Sequence, residues 1–126
     1  MAKTQNLSEG LPSKPSRPVY VYDVPTTLGE GGIETVGLVQ LTAREEMMAA
    51  KRAGSDAIKL VYEQVKQALV EVNGEKVGLA DGSADTAFDK MNPMVRNLVM
   101  TAFAQLHTPP EEATVGFLQS RIVRVA

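Results

Sequence analysis

Apolar and polar positions change their period several times along the chain, and each change marks an element. Residues 19–24, "VYVYDV", alternate Val19, Val21 and Asp23 on one face with Tyr20, Tyr22 and Val24 on the other, the pattern of a strand. "PTTLGEGG" then supplies a proline and three glycines, after which β-branched and apolar residues resume over 33–41 as "IETVGLVQL". The simplest account is an antiparallel hairpin with a long loop.

A helical period takes over at Thr42. Thr42 as N-cap and Glu45 three residues later form a capping box that starts a helix in "LTAREEMMAAKRAG". Gly54 can end or kink it, and Ser55 with Asp56 can restart it. In "SDAIKLVYEQVKQALVEV" the residues Ile58, Val61, Val65, Ala68, Leu69 and Val72 fall on one face of a second helix. "VNGEKV" reads as a helix stop followed by a short extended piece, which is favoured, or as a hairpin joining Val70 and Val72 to Val77 and Leu79.

Beyond it, "ADGSADTAFDKM" predicts a brief helix capped by Ser83 or Asp85. "NPMVRNLVMTAFAQLH" predicts a core helix with Asn92 as N-cap, Pro93 at the first helical position and a stripe of Val95, Leu98, Val99, Ala102, Phe103 and Leu106. "TPPEEATVGFLQS" repeats the logic in a short helix capped by Thr108, and "RIVRVA" ends the sequence as a short strand that could pair with the N-terminal hairpin. The predicted fold is α+β: a mostly helical single domain over 19–126 with an N-terminal β-hairpin. Residues 1–18, with Pro12, Pro15 and Pro18, form a polar, extended arm, read as a tail, with a docked arm as the sharper alternative.

Composition narrows the function classes. A chain of 126 residues suits one core, and 44% apolar with 22% charged residues is ordinary for a soluble domain. The net charge is −2, and the 13 basic and 15 acidic residues are spread evenly, so no basic segment of the kind that displaces counterions from nucleic acid is present. The sequence contains no cysteine, which excludes disulfides, thiolate nucleophiles and Cys-based zinc sites. The N-terminal residues lack the apolar run of a signal peptide, and no stretch approaches the ~20 apolar residues of a membrane span. The expectation is a soluble, unexported protein of the cytoplasm, with neither nucleic acid nor membrane as a partner.

Candidate chemistry changes the picture little. "GEGGIE" invites a phosphate-loop reading but lacks the Lys-Ser/Thr of a Walker motif, and its glutamates would repel phosphate. His107, the single histidine, stands at a helix end without a nucleophile partner and reads as an imidazolium complementing the helix dipole. Asp81, Asp85 and Asp89 are spaced by four, yet the EF-hand pattern is missing, and a turn at Asp81-Gly82 with a cap at Asp85 accounts for two of the three. Glu45 and Glu46 complement a helix N-terminus. No catalytic residue, cofactor or metal site is expected, and the chain reads as no enzyme.

The methionines are the residues with a functional reading. Thioether side chains fill gaps in a core and also line surfaces that adapt to several partner shapes. If Met47 and Met48 lie on an exposed helix, they form with Ala50, Met91 and Met94 a candidate partner-binding set. Ala43, Ala49, Ala50 and Ala53 would let that helix lie close against another helix as a thin contact face.

Over residues 36–120 the succession "LTAREE", "AAKRAGSDAIKLVYEQVKQALVEVNGEKV" and "NPMVRNLVMTAFAQLHTPPEEATVGFLQS" resembles the small tail assembly proteins of tailed bacteriophages, of the tail assembly chaperone type. The likeness is one of word order. It implies a small, mostly helical, non-enzymatic protein that coats the tape-measure protein during tail assembly in the host cytoplasm, as a monomer or a homo-oligomer. The alternative is a virion structural protein: a tail, baseplate or head-tail adaptor subunit.

Overall fold

Four short strands and five helices follow one another over residues 17–28 and 32–120, the residues that the computed structural model describes. Strands β1 (Tyr20–Asp23), β2 (Thr35–Leu38), β3 (Leu69–Val72) and β4 (Glu75–Lys76) pair antiparallel in the order β1-β2-β3-β4. The helices are α1 (Ala43–Ala53), α2 (Ala57–Ala68), α3 (Ser83–Asp89), α4 (Pro93–Leu106) and α5 (Glu111–Gln119). The chain is α+β, as its periodicities predict. The N-terminal hairpin stands where the alternation placed it, with Tyr20 opposite Leu38 and Asp23 opposite Thr35. The predicted C-terminal strand, "RIVRVA", and residues 1–16 of the predicted arm lie outside the described residues.

The favoured reading of "VNGEKV" as a helix stop gives way to the hairpin. The helix ends at Ala68, and Leu69–Val72 pair with β2 and then turn back on β4 through Asn73 and Gly74. Both turn residues have positive φ, 53° and 81°, which a two-residue hairpin of this twist demands and which Asn and Gly adopt most easily. Asn73 also ties the turn to the strand beside it. Its Oδ1 accepts from the Glu34 and Thr35 amides at 2.6 and 3.2 Å, and its Nδ2 donates to the Gly32 carbonyl at 2.7 Å.

Between Gly37 and Leu38 the register shifts: Gly37 faces Glu71 while Leu38 faces Leu69, leaving Val70 as the extra residue of a bulge. The bulge lets Leu69 and Val72, an odd number of positions apart, both stand opposite inward residues of β2. Gly37 sits where the sheet's outer side is closed by side chains. A Cβ there would come within 2.8 Å of the Glu71 Cβ and 2.9 Å of a Val19 methyl, so only glycine fits without displacement.

The core forms where the sheet's inner side meets α2, α3 and α4: Val36, Leu38, Val65, Leu69, Phe88 and Val95 among its members. Of the apolar stripe predicted for the second helix, only Val65 and Ala68 among the helical residues are buried; Ile58 is 71% exposed and Val61 is also exposed. Length explains the difference. A four-residue strand spans about 13 Å and a twelve-residue helix about 18 Å, so the first turn of α2 overhangs the sheet.

Two predicted caps are replaced. Gly82, not Ser83 or Asp85, holds the cap position of α3, while Ser83 accepts from the Gly78 amide at 2.9 Å and donates to Asp81 at 2.6 Å. Helix α5 begins after Pro110 without a side-chain cap, and Thr108 instead closes α4 by donating to the Ala104 carbonyl at 2.7 Å. Asn92 and Pro93 start α4 as predicted, with the Asn92 side chain accepting from the Val95 amide.

Candidate partner-binding surface

Helix α1 is fixed at its start by local chemistry and by two distant residues. Thr42 and Glu45 form the reciprocal capping box: the Glu45 amide donates to Thr42 Oγ1 at 3.2 Å and the Thr42 amide to Glu45 Oε1 at 2.9 Å. Arg17 reaches across, its Nη2 donating to Glu45 Oε2 and its Nη1 to the Gln40 carbonyl, each at 3.0 Å. Partial burial pushes the Glu45 carboxyl up, but the hydrogen bonds from Arg17 and the Thr42 backbone and the guanidinium charge outweigh it and hold the group below its ordinary value.

His107 completes this joint from the end of α4. Its Nε2 accepts from the Leu41 amide at 2.9 Å, and its Nδ1 lies 2.8 Å from the Phe103 carbonyl. An acceptor at Nε2 and a donor at Nδ1 define a neutral ring, so the imidazolium predicted at this helix end is replaced by a neutral connector between α4 and the entry to α1. Gln40 adds a bond from its side-chain amide to the Leu106 carbonyl at 3.0 Å.

The joint sets how α1 lies. It packs chiefly on α2, with Ala49 and Ala53 as its buried residues. Of the predicted alanine face, Ala49 and Ala53 are thus used within the chain while Ala43 and Ala50 are exposed, and the methionines are bare: Met47 is 70% exposed, with Met48 exposed beside it. Met94, on the first turn of α4, is 55% exposed. Met91 departs from the candidate set. At 4% exposure it belongs to the core under the sheet, because the turn between α3 and α4 directs it inward beside Phe88 and Val95, and it is not available to a partner.

Two further apolar features lie outside the predicted set. One is a groove of about 270 Å³ between β1 and α4, lined chiefly by Tyr22, Val24, Pro25, Leu98, Val99 and Ala102, with Asp23, Thr101 and Gln105 as its polar members. The other is α5, in which every residue is exposed and which makes no extensive contact with any other element. Phe117 is 76% exposed, with Val115 and Leu118 also bare. The helix is legible in the sequence, but nothing in it says what covers these apolar side chains.

One network of charged residues joins α1, α2 and α3. Glu63 is 4% exposed, the one buried charged side chain among the described residues. It pairs with Arg52 Nε at 2.6 Å and lies 3.7 Å from Lys66 Nζ. Lys66 extends the network to Asp85 at 3.2 Å and Asp89 at 3.8 Å, and Arg52 also approaches Asp85 at 3.4 Å. The hydrogen bond to Glu63 raises the Arg52 guanidinium further above its already high value. Two of the three aspartates spaced by four therefore sit on a lysine. The third, Asp81, is held below its ordinary value by the Ser83 hydroxyl and amide. Among the described residues no cluster of His, Cys, Asp and Glu is arranged to hold a metal ion, and no helix is long and apolar enough to cross a membrane. A larger open depression of about 490 Å³, between the β3–β4 turn and α3, is lined by polar groups that include Asn73, Asp81 and Ser83, each already bonded within the chain.

Comparison with protein-family models, with curated proteins and with solved structures returns no match to this chain.

Proposed function

We propose that this chain is a non-enzymatic tail morphogenesis protein of a tailed bacteriophage, resembling the tail assembly chaperones, and that it binds the tape-measure protein in the host cytoplasm during assembly. The observation that carries the reading is the set of bare apolar side chains on three helices: Met47 and Met48 on α1, Met94 on α4, and Phe117 and Leu118 on α5. Methionine surfaces repack against a non-uniform helical client, as helix-in-groove recognition of a long chain requires. The order of sequence words from "LTAREE" to "FLQS" supports the same reading. Several titratable groups serve the fold: His107 has both ring nitrogens engaged, and Glu63, Asp85 and Asp89 face Arg52 or Lys66.

The test is co-expression with the tape-measure protein of the same phage, followed by affinity capture of the tagged chain. A complex that survives capture and is weakened about tenfold or more by M47E/M48E, about 1.4 kcal/mol, is the expected outcome. Failure of the unaltered chain to bring down the client would sink the reading. A virion structural subunit is the second reading, favoured by α5, which projects as an arm suited to a neighbouring subunit. Mass spectrometry of purified particles separates the two: a chaperone departs, whereas a structural subunit is recovered at high copy number.

A further inference from the structure

Strand β1 stands at one end of the sheet order, and its outer edge is unpaired among the described residues. The alternation of an antiparallel ladder says which backbone groups stand on that edge. The Val24 amide donates to the Glu34 carbonyl at 2.8 Å, so Val24, and with it Tyr22 and Tyr20, turn their N–H and C=O toward β2. Val21 and Asp23 turn theirs outward. The next ladder agrees: the Asn73 amide donates to the Thr35 carbonyl at 2.9 Å, which points the odd-numbered residues of β2 at β3 and leaves the even-numbered ones for β1. Such an edge is matched only by extended backbone, because the backbone groups of a helix are spent within the helix.

The edge is also left open. Edge strands are commonly blunted by a proline, a lysine or a bulge, and Tyr20–Asp23 contains none of them; the one bulge of the sheet lies in the β2–β3 ladder. Val19, Tyr20 and Val21 are exposed.

The apolar groove runs beside the same strand, with Tyr22 and Val24 on one wall and Leu98, Val99 and Ala102 of α4 on the other. Side chains of a strand added to β1 would alternate between this groove and the outer face that carries Val21 and Asp23. An open edge beside an apolar trough is how strand addition combines affinity from the backbone with selection by alternate side chains. Charge sets the second half of the pattern. Asp23 is the one charged member of the groove and has no ion-pair partner among the described residues.

We propose that β1 takes up an extended segment of a partner protein as an added strand, one that alternates apolar residues with lysine or arginine. The apolar side chains enter the β1–α4 groove, the backbone pairs with Val21 and Asp23, and a basic side chain on the outer face meets the Asp23 carboxylate. The site uses none of the methionines or α5 side chains assigned to the client and is independent of the tail-assembly reading.

The probe is a fluorescein-labelled synthetic peptide of seven residues in which valine alternates with lysine, titrated into the full chain and read by anisotropy. Saturable binding with a Kd below ~1 mM is expected. Methylation of the peptide nitrogens that face β1 removes donors and keeps every side chain, and should weaken binding about tenfold or more. The variant L98D, which puts a charge in the groove at an exposed position, should do the same, as should V21P, which removes an outward N–H where a strand edge tolerates proline. Absence of binding, or unchanged affinity for the methylated peptide or for L98D, overturns the proposal. Amide exchange identifies the occupant: in the peptide-free chain Val21 and Asp23 should exchange fast and Tyr22 slowly, with the peptide slowing the first two. If Val21 and Asp23 are already slow without peptide, the chain itself covers the edge when this holds at every dilution, a second copy covers it when it holds only at high concentration, and either result overturns the proposal.

Discussion

His107 shows how much one side chain can hold together when both ring nitrogens are used. It accepts from the Leu41 amide and meets the Phe103 carbonyl, so H107A leaves a partly buried backbone donor without its acceptor. The expected loss is about 1 to 3 kcal/mol in urea unfolding, with little change in the slope against denaturant. Glu45 gives a pH-dependent counterpart. Its carboxyl titrates lower in the folded chain than in the unfolded one, so its contribution is complete above the ordinary carboxylate range and fades as the pH falls through the lowered value. E45Q keeps a capping side chain but removes the charge facing Arg17. The variant should lose less stability than the parent on acidification below about pH 5, which a pH series of thermal melts would show. Glu63 behaves asymmetrically. Removing Arg52 leaves a buried carboxylate with only the more distant Lys66 beside it, whereas E63Q leaves an arginine that is partly in water and still near Asp85. R52M should therefore be the more damaging of the two, by about 1 kcal/mol or more, with solvent screening at Arg52 limiting the cost of E63Q.

At the scale of elements, the sheet depends on the missing side chain of Gly37. G37A pushes a methyl group against the Glu71 Cβ and a Val19 methyl, and should destabilise the chain by about 1 to 3 kcal/mol, with V19A relieving part of the loss in the double variant. The elements legible in the sequence are those fixed locally. The Thr42–Glu45 box and the Asn92-Pro93 start carry their own hydrogen-bonding chemistry within four residues, and the β1–β2 pairing follows from simple alternation. Residues 69–72 were harder, because "LVEV" continues the helical stripe of α2 and also suits a strand. Pairing with β2 decides the matter, and no residue between 57 and 72 announces it. Among the candidate site residues, Met47, Met48, Ala50 and Met94 lie exposed, while Met91 packs inward. Sequence spacing cannot separate them, since burial depends on which elements cross overhead. Glu63 illustrates the same limit: it reads as a solvated charge until Arg52, eleven residues earlier, pairs with it beside Lys66.

For the whole molecule, stability and surface divide along the chain. Core residues run from Val24 to Val99, and nothing in α5 is buried. A chain ending at Thr108 should unfold within about 2 °C of the full chain in paired thermal melts, because the residues removed bury no apolar side chain among those described. The joint at the start of α1 has a further consequence. Arg17 and Leu106, near opposite ends of the described chain, both bond to Gln40, so residues 17 and 106 meet at one corner of the body. Tension applied between residues 17 and 108 would be carried by the side-chain bonds of Arg17, Gln40 and His107, with the β-ladder outside the line of load. Under force the corner opens first, and the sheet and its core remain assembled until it has.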